Sequence, residues 1–278
     1  MNEHDRRPPL LAYSDPREAG VPVLFVHGIS HNRVVWEKLA NDLPDGLRPI
    51  AVDLRGHGDS PWSPEAAYDL QSYAADLPLL LDALEIDRTA VVGHSLGGNV
   101  SMLFAAARPD RVTALVLADT GPALELSGMA HVMDEVGSGL RSYASVAEFK
   151  DQLALTHPLG DPDILEDLAS SGVVKRIDGR YEPALDPGVL VGAGASGDLA
   201  ALERELWSAL GSLSCPVLVV RGGVSAILSE KVADEMVDEV LVDGRLVTLP
   251  TAGHGVMIDD GPGLTAAIRE FIPVTPRL

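Results

Sequence analysis

A single cysteine, Cys215, is present in this chain of 278 residues. It has no partner for an internal disulfide, and its apolar surroundings in LSCPVLVVRG make it a small core residue, which fits a reducing compartment. Cations are also scarce: 21 Lys and Arg stand against 41 Asp and Glu, a formal net charge of -20. Nucleic acids draw most of their affinity from clustered Lys and Arg, so a phosphate-backbone partner is disfavoured, and so is an anionic membrane surface. Aromatic residues amount to 4 % against 46 % hydrophobic residues, which points to a core of Leu, Val and Ala rather than of stacked rings. No apolar run reaches the roughly 18 residues of a membrane span, and the opening MNEHDRRPPLLAYSD places charge and proline where a signal peptide would be apolar. No His, Cys or carboxylate positions show metal-ligand spacing, and no glycine-rich turn carries the lysine of a phosphate-binding loop. A cytoplasmic protein acting on a small molecule, with no cofactor and no metal, is the expectation; the oligomeric state leaves no trace in the sequence.

The chain does contain short apolar runs that alternate with amphipathic stretches: VPVLFVHG, RPIAVDLRG, RTAVVGHS, VTALVLADTG, CPVLVVRGG and RLVTLPTAG. Such runs read as strands buried on both faces. Between them, Leu70, Tyr73, Leu77, Leu81 and Leu84 recur at helical spacing, and GGNVSMLFAAARPD ends its helical pattern on a proline-aspartate pair. Strand-helix alternation predicts an α/β fold, a doubly wound and mainly parallel sheet with ligands at the carboxyl ends of its strands. The rhythm breaks between about Pro122 and Leu213, a stretch too long for a plain loop. It is expected to be a helical cap, residues 122–213, inserted into a core of residues 1–121 and 214–278.

In AVVGHSLGGNV, Gly93, Ser95 and Gly97 satisfy G-x-S-x-G between a predicted strand and a predicted helix. A serine on so sharp a turn is presented at the top of the sheet above a helix N-terminus, where negative charge is favoured. The bland alternative is a glycine-rich turn with an incidental serine. Where LFVHGIS ends the first strong strand, Gly28 lets the amide of Ile29 face that hydroxyl; with the amide of Leu96 it would form an oxyanion hole. His27 reads as a structural hydrogen-bonding residue. His254, in PTAGHGVMIDDGP, is the candidate base, because this architecture runs nucleophile, acid, base along the chain and His57 precedes Ser95. His94 adjoins the serine and points elsewhere, while His31 and His131 could reach the cleft as substrate contacts, with solvated loops as the default for both.

With HG after a strand, DLRGHGDS, GHSLGG and a late GH, the chain resembles the alpha/beta-hydrolase superfamily over nearly its whole length. The resemblance implies a Ser-His-acid triad with Ser95 as nucleophile and His254 as base, and a cap that shapes the substrate pocket. A serine at the nucleophile position argues against dehalogenase and epoxide hydrolase chemistry, which use aspartate there. Acyl chemistry remains: a small carboxylic ester, lactone or related compound. C-C bond hydrolysis of a diketone, acyl transfer, decarboxylation and ligand binding without turnover stand as alternatives.

The acid is missing from its common place. After CPVLVVRGG, where many members carry an aspartate, this chain reads Val224, Ser225, Ala226, Ile227, Leu228. None can hold the charge that stabilises an imidazolium. The superfamily also allows an acid after the preceding strand, and Asp119 in VTALVLADTGPAL occupies that position. It could instead cap the first turn of the insertion. Asp53, Arg55 and Asp59 are expected to fix backbone turns, and Trp36, Met129, Met133, Tyr143 and Trp207 to be pocket lining or, by default, core.

Overall fold

The computed structural model describes residues 11–194 and 198–274. Seven strands form one sheet in the order β1-β3-β2-β4-β5-β8-β9: β1 (Tyr13–Ser14), β2 (Val21–Val26), β3 (Leu47–Val52), β4 (Thr89–His94), β5 (Val112–Ala118), β8 (Val217–Gly222) and β9 (Gly244–Leu249). All neighbours pair parallel except β1, which runs antiparallel to β3. The order turns back between β2 and β4, which opens a crevice at their carboxyl ends, the usual ligand position in such sheets.

The alternating pleat sends Leu24 and Val26 of β2 into one hydrophobic cluster and Val23 and Phe25 into another. On the first face lie α2 (Leu70–Ala83) and α3 (Leu96–Ala107), contributing Leu77, Leu80, Leu81, Met102 and Phe104. On the second lie α1 (Glu37–Asp42), α10 (Val256–Asp259) and α11 (Gly261–Phe271), with Leu39, Met257, Leu264 and Ile268. Burial on both faces holds for the inner strands. The edge strand β9 is only half-buried, and among the described residues no further strand pairs with its outer side. Helix ends follow local chemistry: Asp69 accepts from the Ser72 amide to start α2, and Asp260 accepts from the Gly263 amide to start α11.

Between β5 and β8 the chain runs through α4 (Leu126–Gly139), α5 (Val146–Thr156), α6 (Pro162–Ser171), a hairpin of β6 (Val173–Lys175) and β7 (Tyr181–Pro183), α7 (Gly188–Gly194) and α8 (Leu199–Gly211). The hairpin spans residues 173–183, and Gly179, at φ 83°, supplies the left-handed turn residue. Helix α8 does not lie over the sheet's carboxyl edge. Its residues Leu206, Ala209 and Leu210 join the cluster around α3, so it flanks the sheet although it falls within 122–213. No helix among the described residues is long and apolar enough to cross a membrane.

Candidate active site

Ser95 sits between β4 and α3 with φ 51° and ψ −119°, a conformation that costs a non-glycine residue on the order of 1–3 kcal/mol. The fold holds it there through bonds on both sides. Its amide donates to the Ala118 carbonyl at 3.3 Å, and its carbonyl accepts from the amides of Gly98 and Asn99 at 2.9 and 3.1 Å. The flanking glycines permit the crossing: a Cβ on Gly93 would lie 2.4 Å from the Gly97 carbonyl oxygen, and one on Gly97 2.3 Å from that of Val26.

Three side chains from three loops meet at this point. Ser95 Oγ lies 3.0 Å from His254 Nε2, and His254 Nδ1 lies 2.8 Å from Asp119 Oδ2. Asp119 follows β5 directly, is fully buried and has φ 47°, a left-handed conformation that Asp and Asn tolerate better than most residues. Its amide donates to the Val220 carbonyl at 2.7 Å, tying the acid's backbone to β8. Its carboxylate accepts from the Gly222 amide at 2.8 Å and from the Ser225 hydroxyl at 2.5 Å, as well as facing His254. Asp119 therefore does not cap α4; Glu125 holds that position.

Ser225, which cannot supply the anion, hydrogen-bonds the acid, and its oxygen also accepts from the Ile227 amide at 3.1 Å. The loop that lacks a carboxylate thus supplies a donor to the one next door.

The two residues expected to donate to an oxyanion lie on segments next to the serine. A methyl group on residue 28 would come within 3.2 Å of Ser95 Cβ, which shows how closely the loop carrying Ile29 approaches, while Leu96 begins α3. Neither amide has a turn, loop or capping acceptor among the described residues. Beneath them His27 donates from Nδ1 to the Gly28 carbonyl at 2.7 Å and accepts from the Leu54 amide at 3.0 Å; burial holds its pKa well below the usual imidazole range. His94 braces the base, with Nε2 donating to the His254 carbonyl at 2.9 Å. Asp53 binds the backbone and guanidinium of Arg33 and accepts from the Asp59 amide, and Arg55 forks onto Asp76 at 2.7 and 2.6 Å. These groups fix loops, as their positions suggested.

A cavity of about 100 Å³ opens onto Ser95 and His254. Its core wall is Ile29, His31, Asn32 and His94; its outer wall comes from α4, α5 and the end of β7, with Val132, Glu135, Val136, Phe149, Leu153 and Leu185 prominent. His31 is buried here rather than solvated, its Nε2 3.4 Å from Nε2 of His157 across the gap. His131 is exposed and pairs with Glu135 at 3.1 Å. Trp36, Met129, Met133, Tyr143 and Trp207 are all absent from the lining. Tyr143 belongs to a small cluster with Phe149 and Ala169, and Trp36 packs on Phe25 in the core. A larger cavity, about 680 Å³, lies at the opposite ends of the strands beside Val21, Thr113 and Pro216, with no acid-base pair in its wall.

An elbow serine, an imidazole and a buried carboxylate at the carboxyl edge of such a sheet define a serine-type hydrolase. The chain belongs to the alpha/beta hydrolase fold family, whose pattern matches residues 21–261, and it is a hydrolase. Among curated relatives, 2-(acetamidomethylene)succinate hydrolase of Mesorhizobium japonicum is 33 % identical over 256 residues, spanning 91 % of this chain and 88 % of that protein. Esterase YbfF of Escherichia coli is 28 % identical over 259 residues, 90 % of this chain and 92 % of that protein. The crystal structure of E-2-(acetamidomethylene)succinate hydrolase is similar at a TM-score of 0.85, with 29 % identity and 94 % of each chain covered.

Proposed function

We propose that the protein hydrolyses a small carboxylic ester, lactone or related acyl compound through an acyl-enzyme on Ser95. The observation that carries this reading is the unbroken line from Ser95 Oγ to His254 Nε2 at 3.0 Å and from His254 Nδ1 to Asp119 Oδ2 at 2.8 Å. In the first half-reaction His254 takes the hydroxyl proton as Ser95 attacks the carbonyl, and Asp119 keeps the imidazole in the tautomer whose Nε2 lone pair faces the serine. The amides of Ile29 and Leu96 receive the developing oxyanion, each worth about 3 kcal/mol by comparison with other hydrolases. His254 returns the proton to the leaving group, then draws one from water to release the acid. Residues between β5 and α8 act as the cap over this chemistry, keep bulk water out and choose the acyl group.

The wall beside Ser95 is largely apolar, with Val132, Val136, Leu140, Phe149, Leu153 and Leu185, which suits a small apolar acyl group. A second reading comes from the Mesorhizobium relative, whose name specifies cleavage of 2-(acetamidomethylene)succinate; that compound belongs in the substrate panel. Ligand binding without turnover was attractive only while the acid was missing, and a buried carboxylate on His254 removes its ground.

The test is a panel of short-chain and aromatic p-nitrophenyl esters, lactones and thioesters, with labelling by a fluorophosphonate. Wild type turns over short acyl esters and is labelled at Ser95; Ser95→Ala does neither, a loss of about six orders of magnitude in kcat by analogy with other triads. Turnover that persists in Ser95→Ala would refute the reading.

A further inference from the structure

The cavity wall is unusual in its charge. Apart from His254, its ionisable members among the described residues are His31, His94, His157 and Glu135; no Lys or Arg lines it. The three histidines are uncharged near neutrality: burial holds His31 and His94 well below the usual imidazole range and His157 at about 4, and each would also meet a neighbouring imidazolium. Guanidinium groups on adjoining segments are turned to other partners: Arg33 to Asp53 and Asp59, Arg141 to Glu148, Arg180 to Ser142. Glu135 projects from α4, which faces the core loop of His31 across the cavity, and its imidazole partner, His131, stands on the exposed side of the same helix. Partial burial raises its carboxyl above the ordinary value, with His131 opposing.

An anion entering this space loses hydration and gains no cation in return. It also meets a carboxylate within the wall and approaches a chain of formal charge -20, which slows encounter. An ester or lactone of an uncharged acid suffers neither penalty, and the polar atoms of Asn32, Gln152, Thr156 and the two facing histidines can still bind a carbonyl or hydroxyl.

We infer that the site selects an uncharged acyl group and rejects one bearing a carboxylate, with Glu135 as the residue that sets this preference. The inference rests on the ester-hydrolase reading above and sets aside the reading taken from the Mesorhizobium relative, whose named substrate is a dicarboxylate. It is tested with two esters of matched length, p-nitrophenyl butyrate and mono-p-nitrophenyl succinate, in which a terminal methyl is replaced by a carboxylate. Wild type is expected to show kcat/KM on the order of 100-fold lower for the succinate ester. Glu135→Gln narrows that ratio about fivefold or more, chiefly through KM, and Glu135→Lys narrows it further, whereas Glu135→Asp preserves it. Equal kcat/KM for the two esters in wild type, or a ratio that none of these variants moves, overturns the inference. Calorimetric binding of ethyl butyrate and monoethyl succinate to Ser95→Ala separates the two claims. Tighter binding of the neutral ester with no hydrolysis by wild type would leave charge selection standing and sink the esterase; equal binding with hydrolysis by wild type does the reverse.

Discussion

Two loops from neighbouring strands meet at one carboxylate oxygen beside the imidazole, and they differ in what they carry. The loop after β5 brings Asp119, fully buried and held in a left-handed conformation; the loop after β8 brings Ser225, half-buried in an ordinary turn. Parallel pairing of Ala118 with Val220 sets the two loop starts side by side, so one oxygen, Asp119 Oδ2, touches both His254 Nδ1 and Ser225 Oγ. On this geometry a carboxylate on either strand is expected to serve, provided the neighbour offers a donor.

The comparison breaks most sharply at the charge itself. Asp119→Asn is nearly isosteric and tolerates φ 47°, so the fold survives and thermal melting shifts little. The amide oxygen can still accept from Gly222, which turns the NH₂ toward His254 and Ser225. Imidazole Nδ1 must then accept, its proton moves to Nε2, and the lone pair facing Ser95 is lost. Turnover of a p-nitrophenyl ester is expected to fall about 10⁴-fold, the cost of this exchange in serine proteases. A variant that keeps most of its kcat would show that charge on β5 is not what the ring needs.

A smaller effect sharpens the point. In Asp119→Asn combined with Ser225→Asp, the carboxylate moves to the other loop, where it can reach the ring while the asparagine NH₂ donates to it. Steady-state kinetics should show about tenfold or more of the lost kcat regained, about 1.4 kcal/mol of transition-state stabilisation. Ser225→Asp alone, which sets two carboxylates against each other, is expected to be less active than wild type. If the double variant is no faster than Asp119→Asn, the loops are not interchangeable and backbone placement, not charge alone, fixes the acid.

Both loops were visible in the sequence, but not equally. Asp119 was legible because it closes an apolar run at the carboxyl end of a predicted strand, and His254 because it lies in a glycine-flanked loop late in the chain order. The sheet was legible for the same reason: inner strands buried on both faces read as unbroken apolar runs. The bond between Ser225 and Asp119 was not, since it depends on the register of two strands separated in sequence by the whole insertion. Cavity lining failed similarly. Met129, Met133 and Tyr143 are apolar at helical spacing, yet which side of α4 faces the serine depends on how the insertion docks, and Val132, Glu135 and Val136 are the residues it presents. The β6–β7 hairpin is too short for a period-two pattern to register, and α8 could not be told from the cap before its packing on α3 was seen.

The weakest of the effects isolates the hydroxyl. Ser225→Ala leaves the acid with His254 and the Gly222 amide, so charge and tautomer persist while one charge-assisted bond goes. Such bonds contribute about 1.5–3 kcal/mol when buried, and Ser225 is only half-buried, which places the expected loss in kcat near tenfold. Ser225→Thr keeps the donor and should recover most of it. The split between the two variants is the informative measurement: equal losses would mean that the loop's shape, set partly by the Ile227 amide on the same oxygen, matters more than the bond to Asp119. A loss in alanine alone would mean that the loop without an acid serves the mechanism by steadying the loop that has one.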